Sequence, residues 1–260
     1  MRRLAVVVGI GAVFFALVAI ALASPTPTVT YTSPIKVSGK PKAGKPAPVT
    51  YNGILDVKNP DGTQPATAPT TTLYFAKQLI NNAKYFPSCS LADIDGKQTV
   101  PAKCKKAQIG TGSAASQAGT PGQMSIINEP LTVTAYNGPR GKQFLLVLNA
   151  SSPVAVQNRV VPATLGPGGG KFGYTLKFKV PANLQSQLGL QIALTHFNVV
   201  TSGKTRTVKI KGKKRKVSYL MLKNCPKSGT LPSKAVVNFN TDAGTPGGPT
   251  VTNEGSFKCK

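Results

Sequence analysis

The chain has 260 residues, enough for one large β-domain or two small ones whose core needs no metal to form. Charged residues are only 15% of it, and the deficit is acidic: 32 Lys and Arg stand against 7 Asp and Glu, a formal net charge of +25. So few carboxylates leave little material for paired-acid catalysis or an acidic metal cage, and a field of that sign draws the molecule toward polyanions. The cations beyond Arg2 and Arg3 are nearly all Lys, joined by Arg140, Arg159, Arg206 and Arg215. Lysine is a hydrated point charge, better suited to diffuse attraction than to reading a phosphate with a planar fork.

Residues 1–23 read in the order of a signal peptide, expected as a helix. Arg2 and Arg3 form the charged region, Leu4 to Leu22 is wholly apolar or Gly, and Ala21-Leu22-Ala23 supplies a small-residue cleavage site before Ser24. The apolar run also approaches the roughly 20 residues of a membrane span, so the alternative is an uncleaved anchor. Either reading carries the rest of the chain across a membrane, and leaves membrane contact to this segment alone. No cysteine follows the apolar run, which argues against a lipoprotein.

Residues 24–46 are dense in Pro, Gly, Lys and Thr, with Lys40-Pro41-Lys42-Ala43-Gly44-Lys45-Pro46 at their end, and predict a flexible basic linker. Residues 47–260 then read as the folded domain. Val49 to Val57 predicts its first strand. Thr70–Ala83 is ambiguous, since Leu73, Ala76, Ile80 and Ala83 fit a helical face while Thr70 to Phe75 has strand composition; a strand followed by an irregular turn is the preferred reading. Leu131 to Tyr136 alternates and stops at Asn137-Gly138-Pro139. Gln143 to Leu148 is continuously apolar, as in a strand covered on both faces. In the next strand Phe172, Tyr174, Leu176, Phe178 and Val180 point one way and Lys171, Thr175, Lys177 and Lys179 the other. Asn183–Leu188 predicts one helical turn. Ile192, Leu194 and His196 share one face of a further strand. Val208 and Ile210, a turn over Lys211–Lys216, then Val217, Tyr219 and Met221 predict a hairpin with a basic tip. Ala235–Phe239 and Val251–Cys259 complete about ten strands. The expected architecture is an all-β, antiparallel sandwich, Ig-like or jelly-roll-like.

The cysteines are Cys89, Cys104, Cys225 and Cys259. An even number in an exported chain predicts two disulfides. Three pairings are open; the local ones, Cys89–Cys104 and Cys225–Cys259, are preferred because each encloses one contiguous segment. Zinc is a poor alternative, with no C-x-x-C and with the single histidine, His196, distant from every cysteine.

Four other patterns bear on chemistry. Asp93 and Asp95 are close enough to share a calcium ion, but two carboxylates are too few, so a solvated loop is preferred. His196 would be the sole base for a serine nucleophile, and no G-x-S-x-G accompanies it; a satisfied strand histidine is the plainer reading. Pro167-Gly168-Gly169-Gly170-Lys171 lacks the spacing and following helix of a phosphate loop and reads as a hairpin turn. Lys209, Lys211, Lys213, Lys214, Arg215 and Lys216 form a basic cluster, either a patch for an anionic ligand or a solvated hairpin tip. No cofactor is implied.

Pro87-Ser88-Cys89, then Cys104 with Ala107-Gln108-Ile109-Gly110-Thr111-Gly112, then Cys225-Pro226-Lys227-Ser228-Gly229, Val237-Asn238-Phe239 and Cys259 together resemble an uncharacterised group of secreted β-proteins of actinobacterial type. The resemblance spans roughly Phe86 to the end. Lys105 departs from it, since Pro often follows the second cysteine in that group. It implies a secreted sandwich and supplies no activity.

The function these readings predict is a secreted, non-enzymatic module associated with the cell envelope or the extracellular space. Its expected partner is an anionic cell-wall or extracellular polymer, and no specific nucleic acid. The alternatives are a carbohydrate-binding or carbohydrate-active domain, against which the absence of Trp counts, and an adhesion protein that adds a strand to a partner.

Overall fold

The computed structural model describes residues 24–42, 44–201 and 203–259. The expected signal segment, residues 1–23, lies outside them. Among the described residues no helix is long and apolar enough to cross a membrane.

Strand structure begins earlier than the composition predicts. β1 (Thr28–Thr32) and β2 (Ile35–Val37) both pair antiparallel with β3 (Ala47–Lys58). The reading of 24–46 as a flexible linker is therefore corrected, because Val29, Tyr31 and Ile35 alternate with polar neighbours and are buried. Short alternation of this kind is masked by the surrounding Pro, Gly and Lys.

The ambiguous stretch after Pro69 resolves as β4 (Thr70–Ala76), a tight turn, and β5 (Leu79–Asn81). Two short helices, α1 (Leu91–Ile94) and α2 (Ala102–Ala107), lie between Cys89 and the next long strand. An up-and-down series follows: β6 (Gln108–Gly119), β7 (Ile127–Asn137), β8 (Gln143–Ala150), β9 (Val156–Pro167) and β10 (Phe172–Lys179). A single 3-10 turn at Ala182–Leu184 leads into the two-residue β11 (Ser186–Gln187) and the long β12 (Leu190–Thr201). β13 (Thr205–Ile210), β14 (Lys213–Ser218) and β15 (Leu220–Leu222) come next. β16 (Thr230–Asn240) and β17 (Pro246–Lys258) close the described chain.

All of these except β13 and β14 belong to one antiparallel sheet, in the order β17-β16-β4-β10-β9-β8-β7-β6-β12-β3-β15-β5, with β1 and β2 paired to β3 and β11 to β12 off that path. The sheet is folded over so that β3 and β12 face β4 and β10. Tyr51 packs on Phe75 with ring centroids 5.3 Å apart, and Phe178 on Phe197 at 6.3 Å. Its two margins meet where Tyr31 N–H donates to Asn253 Oδ1 at 3.0 Å. The fold is thus an all-β antiparallel sandwich, built from one continuous sheet with a meander at its centre rather than from the two separate sheets of an Ig-like or jelly-roll domain.

The core is what the period-2 pattern produces. β3 alternates without interruption, turning Val49, Tyr51, Leu55 and Val57 inward. β8 is covered on both faces, as its apolar run predicts. Leu146 enters the sandwich core, while Leu145 and Val147 pack beneath Cys89, Ile94, Cys104 and Ala107 on the outside. That outer cluster exists because the α1–α2 segment is strapped down. Cys89 bonds Cys104, Asp95 Oδ1 accepts from Val160 N–H at 3.0 Å, and Asn158 Nδ2 donates to Lys97 O at 2.7 Å. The second disulfide joins Cys225 to Cys259, so both favoured pairings form. In the chain-entropy account, closing loops of 15 and 34 residues stabilises by about 3 and 4 kcal/mol.

Gly110 and Gly112 stand on β6 against β12. A Cβ on Gly112 would lie 1.8 Å from Asn198 O, and one on Gly110 2.5 Å from Val200 O, so only glycine lets the strands approach this closely. Asn137, at the end of β7, is fully buried and works as a polar hub. Its Nδ2 donates to Ala83 O at 3.0 Å and Pro87 O at 2.9 Å, and its Oδ1 accepts from the Tyr219 hydroxyl at 3.1 Å.

Candidate functional site

β13 and β14 form a two-stranded ribbon of their own, separate from the main sheet. Its turn is Lys211-Gly212 alone, with φ of 49° and 76°; two successive positive φ values match the right-handed twist of a hairpin, and Gly212 takes the second without strain. The expected turn over Lys211–Lys216 is therefore corrected. Lys213, Lys214, Arg215 and Lys216 stand in the returning strand, because Val217 must reach the buried base of the ribbon and sets the register.

That register sorts the charges. Lys209 lies directly opposite Lys214, and Thr207 opposite Lys216, so three lysines and a threonine share one face. The other face carries Arg206, Arg215 and Lys213 around the half-buried Val208 and Ile210. The ribbon joins the body only at its base. There Arg206 Nη1 donates to Tyr85 O at 2.9 Å, Tyr219 N–H donates to Lys204 O at 3.0 Å, and Val217, Ser218 and Tyr219 are buried. Among the described residues no ribbon cation takes part in an ion pair; the carboxylates that are paired serve Lys103, Lys171, Lys234 and His196. Between Glu129 and Asp242 the chain contains no acid at all. Lysines placed opposite each other repel, which costs a few tenths of a kcal/mol unless an anion lies across them.

The other candidate residues are used structurally. His196 is not on the face of Ile192 and Leu194: a bulge at Thr195 shifts the register and turns it outward, where Nδ1 meets Asp56 Oδ1 at 2.6 Å. Both side chains of that pair are open to solvent. Asp93 caps α1 in a reciprocal arrangement with Ser90 and binds Lys103 Nζ at 2.7 Å. The hydrogen bond from Lys103, aided by Ser90, lowers its carboxyl to about 2. Asp95 is committed to Val160 N–H. Cys89, Asp93 and Cys104 come close enough to suggest a metal cluster, but the two sulfurs are bonded to each other, which leaves no thiolate to ligate. The Gly168–Gly170 run is the tip of the β9–β10 hairpin, as expected. Every tyrosine and phenylalanine among the described residues is buried or half-buried, so no aromatic sugar platform faces solvent.

A feature that sequence reading missed lies at the opposite end of the body. β12 runs from Leu190 to Thr201, and the ribbon continues from its carboxyl end. At its amino end the folded sheet encloses a cavity of about 220 Å³. Leu73, Leu131, Leu146, Phe178 and Phe197 form part of its walls, and Leu188 and Leu190 stand at its rim. A single ionisable residue, Glu129, lines it. Compared with known proteins, the chain matches no family model, no curated protein and no solved structure.

Proposed function

We propose that this protein is a secreted, non-enzymatic binding module that docks on an anionic polymer of the cell envelope through the β13–β14 ribbon. The observation that carries the reading is the ribbon itself: seven cations in the fourteen residues 205–218, on a projecting hairpin with none of them in an ion pair. A six-residue strand pair spans roughly 20 Å, so the charges sample several repeats of a polymer at once. Lysines on a two-faced ribbon suit a flexible, repeating anion; nothing in their spacing selects one phosphate or one base. The two disulfides accord with an oxidising compartment, where wall polymers are encountered and nucleic acid is not the default partner.

The test is cosedimentation of the purified protein with isolated bacterial cell wall, at about 20 mM and at about 300 mM salt. Binding is expected at the lower concentration and is expected to fall at least tenfold at the higher, as the Debye length contracts. Replacing Lys209, Lys211, Lys213, Lys214, Arg215 and Lys216 together by Gln is expected to remove most of the binding at low salt, with an unchanged circular dichroism spectrum. Binding that ignores salt, or that survives the six replacements, discards the proposal.

A further inference from the structure

The cavity at the other end of the sandwich is walled by residues of ten strands, from β3 to β16, and its lining is overwhelmingly apolar. Its volume, about 220 Å³, exceeds the ~150 Å³ of an engineered apolar cavity that stays dry and admits benzene. A close-packed interior does not leave such a void without consequence, since the lining forgoes its dispersion contacts.

Two further observations say what fills it. Glu129, on the inward face of β7, is only 7% exposed. Its Oε2 accepts from Val154 N–H at 2.8 Å, while its Oε1 is enclosed and has no hydrogen-bond partner. An unpaired carboxylate oxygen beside an apolar void is costly, and the terminal torsion of Glu is soft enough to turn it toward an incoming donor. At the rim, Leu188 is 95% exposed with a φ of 51°. Turns with two positive φ values favour Asn or Gly at that place, and a leucine there is strained as well as wet. Ile126, next to the cavity residue Ile127, is 68% exposed. Backbone strain and exposed apolar side chains at the mouth of a cavity mark a place where an apolar molecule can enter.

We infer that this cavity binds a small aliphatic molecule with a hydrogen-bond-donating head, a primary amine or alcohol. The chain lies among Leu131, Leu146, Phe178 and Phe197, and the head donates to Glu129 Oε1. A donating head gives the unpaired Oε1 the partner it lacks, whereas a fatty acid of the same length, ionised at pH 7, brings only further acceptors and is refused. The inference is independent of the ribbon, which stands at the far end of the molecule.

The experiment is isothermal titration of the whole mature protein with 1-octylamine, 1-octanol and octanoate at pH 7. The amine and the alcohol are expected to bind at least tenfold more tightly than octanoate, against the attraction of the protein's net positive charge for the acid. Glu129→Gln, which keeps an acceptor for Val154 N–H, is expected to erase that preference. Ala118→Phe, which fills the cavity, is expected to abolish binding of all three while far-ultraviolet dichroism remains that of the parent. Should that variant misfold, Leu194→Phe serves the same purpose from the adjacent strand. Octanoate binding as well as the amine, binding that survives cavity filling, or no binding of any of the three to the folded parent overturns the inference.

Discussion

At the ribbon end of the sandwich, both disulfides, the Asn137 hub and the fully buried Tyr219 gather around the strand ends, and the cations project from that braced base. At the cavity end there is no cysteine, the enclosing strands leave a void, and the loop that closes it carries a strained, exposed leucine. Stability in a folded protein is not uniform, and surfaces that admit a ligand are drawn from its less stable parts. A polymer that docks from outside needs a rigid arm, whereas a molecule that enters needs walls that part. The proposed docking end and the proposed ligand-entry end of this body divide along that line.

The largest test of the contrast is at the hub. Asn137→Ala leaves Pro87 O and the Tyr219 hydroxyl without their partner inside the protein and takes from Ala83 O the second of its two donors, Phe86 N–H remaining, and is expected to destabilise by about 3–5 kcal/mol. At 2–4 °C per kcal/mol for a chain of this size, Tm falls by roughly 10 °C in calorimetry. A change of only a degree or two would mean that the ribbon end is not the braced one. Leu188→Asn at the other end is expected to act in the opposite direction. It relieves an unfavourable backbone conformation and removes an exposed apolar side chain, raising stability by about 1 kcal/mol in denaturant titration. A loss of stability there would show that the loop is packed rather than poised. The smallest effect is expected for Lys214→Glu. It converts the repulsion with Lys209 into attraction and adds up to about 0.5 kcal/mol, while weakening adhesion to cell wall. The two readouts moving apart would separate the ribbon's proposed binding role from its folding role.

Much of the fold was legible because a half-buried strand announces itself locally. Phe172 to Val180, Leu131 to Tyr136 and Gln143 to Leu148 each contain enough alternation or apolar continuity to place their faces. The strands missed at the start fail for a related reason: Val29, Tyr31 and Ile35 alternate over spans too short to stand out from Pro and Gly. His196 stands on the face opposite to the one strict alternation predicts, because one extra residue of β12 at Thr195 inverts the pattern. The basic cluster was visible as a run of letters, but its arrangement was not. Whether Lys214 faces Lys209 depends on a two-residue turn, and the buried Val217 chooses that turn.

The cavity lay beyond any local signal. Glu129 differs in sequence from the other six acids in nothing that marks it as interior, apart from standing two residues before Leu131 in an alternating strand. Strand periodicity, the excess of positive charge and the supply of cysteines are written in the chain, since each is a property of neighbouring residues or of simple sums. Which strands face each other, where the sheet folds over, and that ten strands leave a gap beside Glu129 emerge only on assembly. Those outcomes depend on how side chains distant in the chain fill a shared space, and packing is a property of the assembled volume rather than of any segment within it.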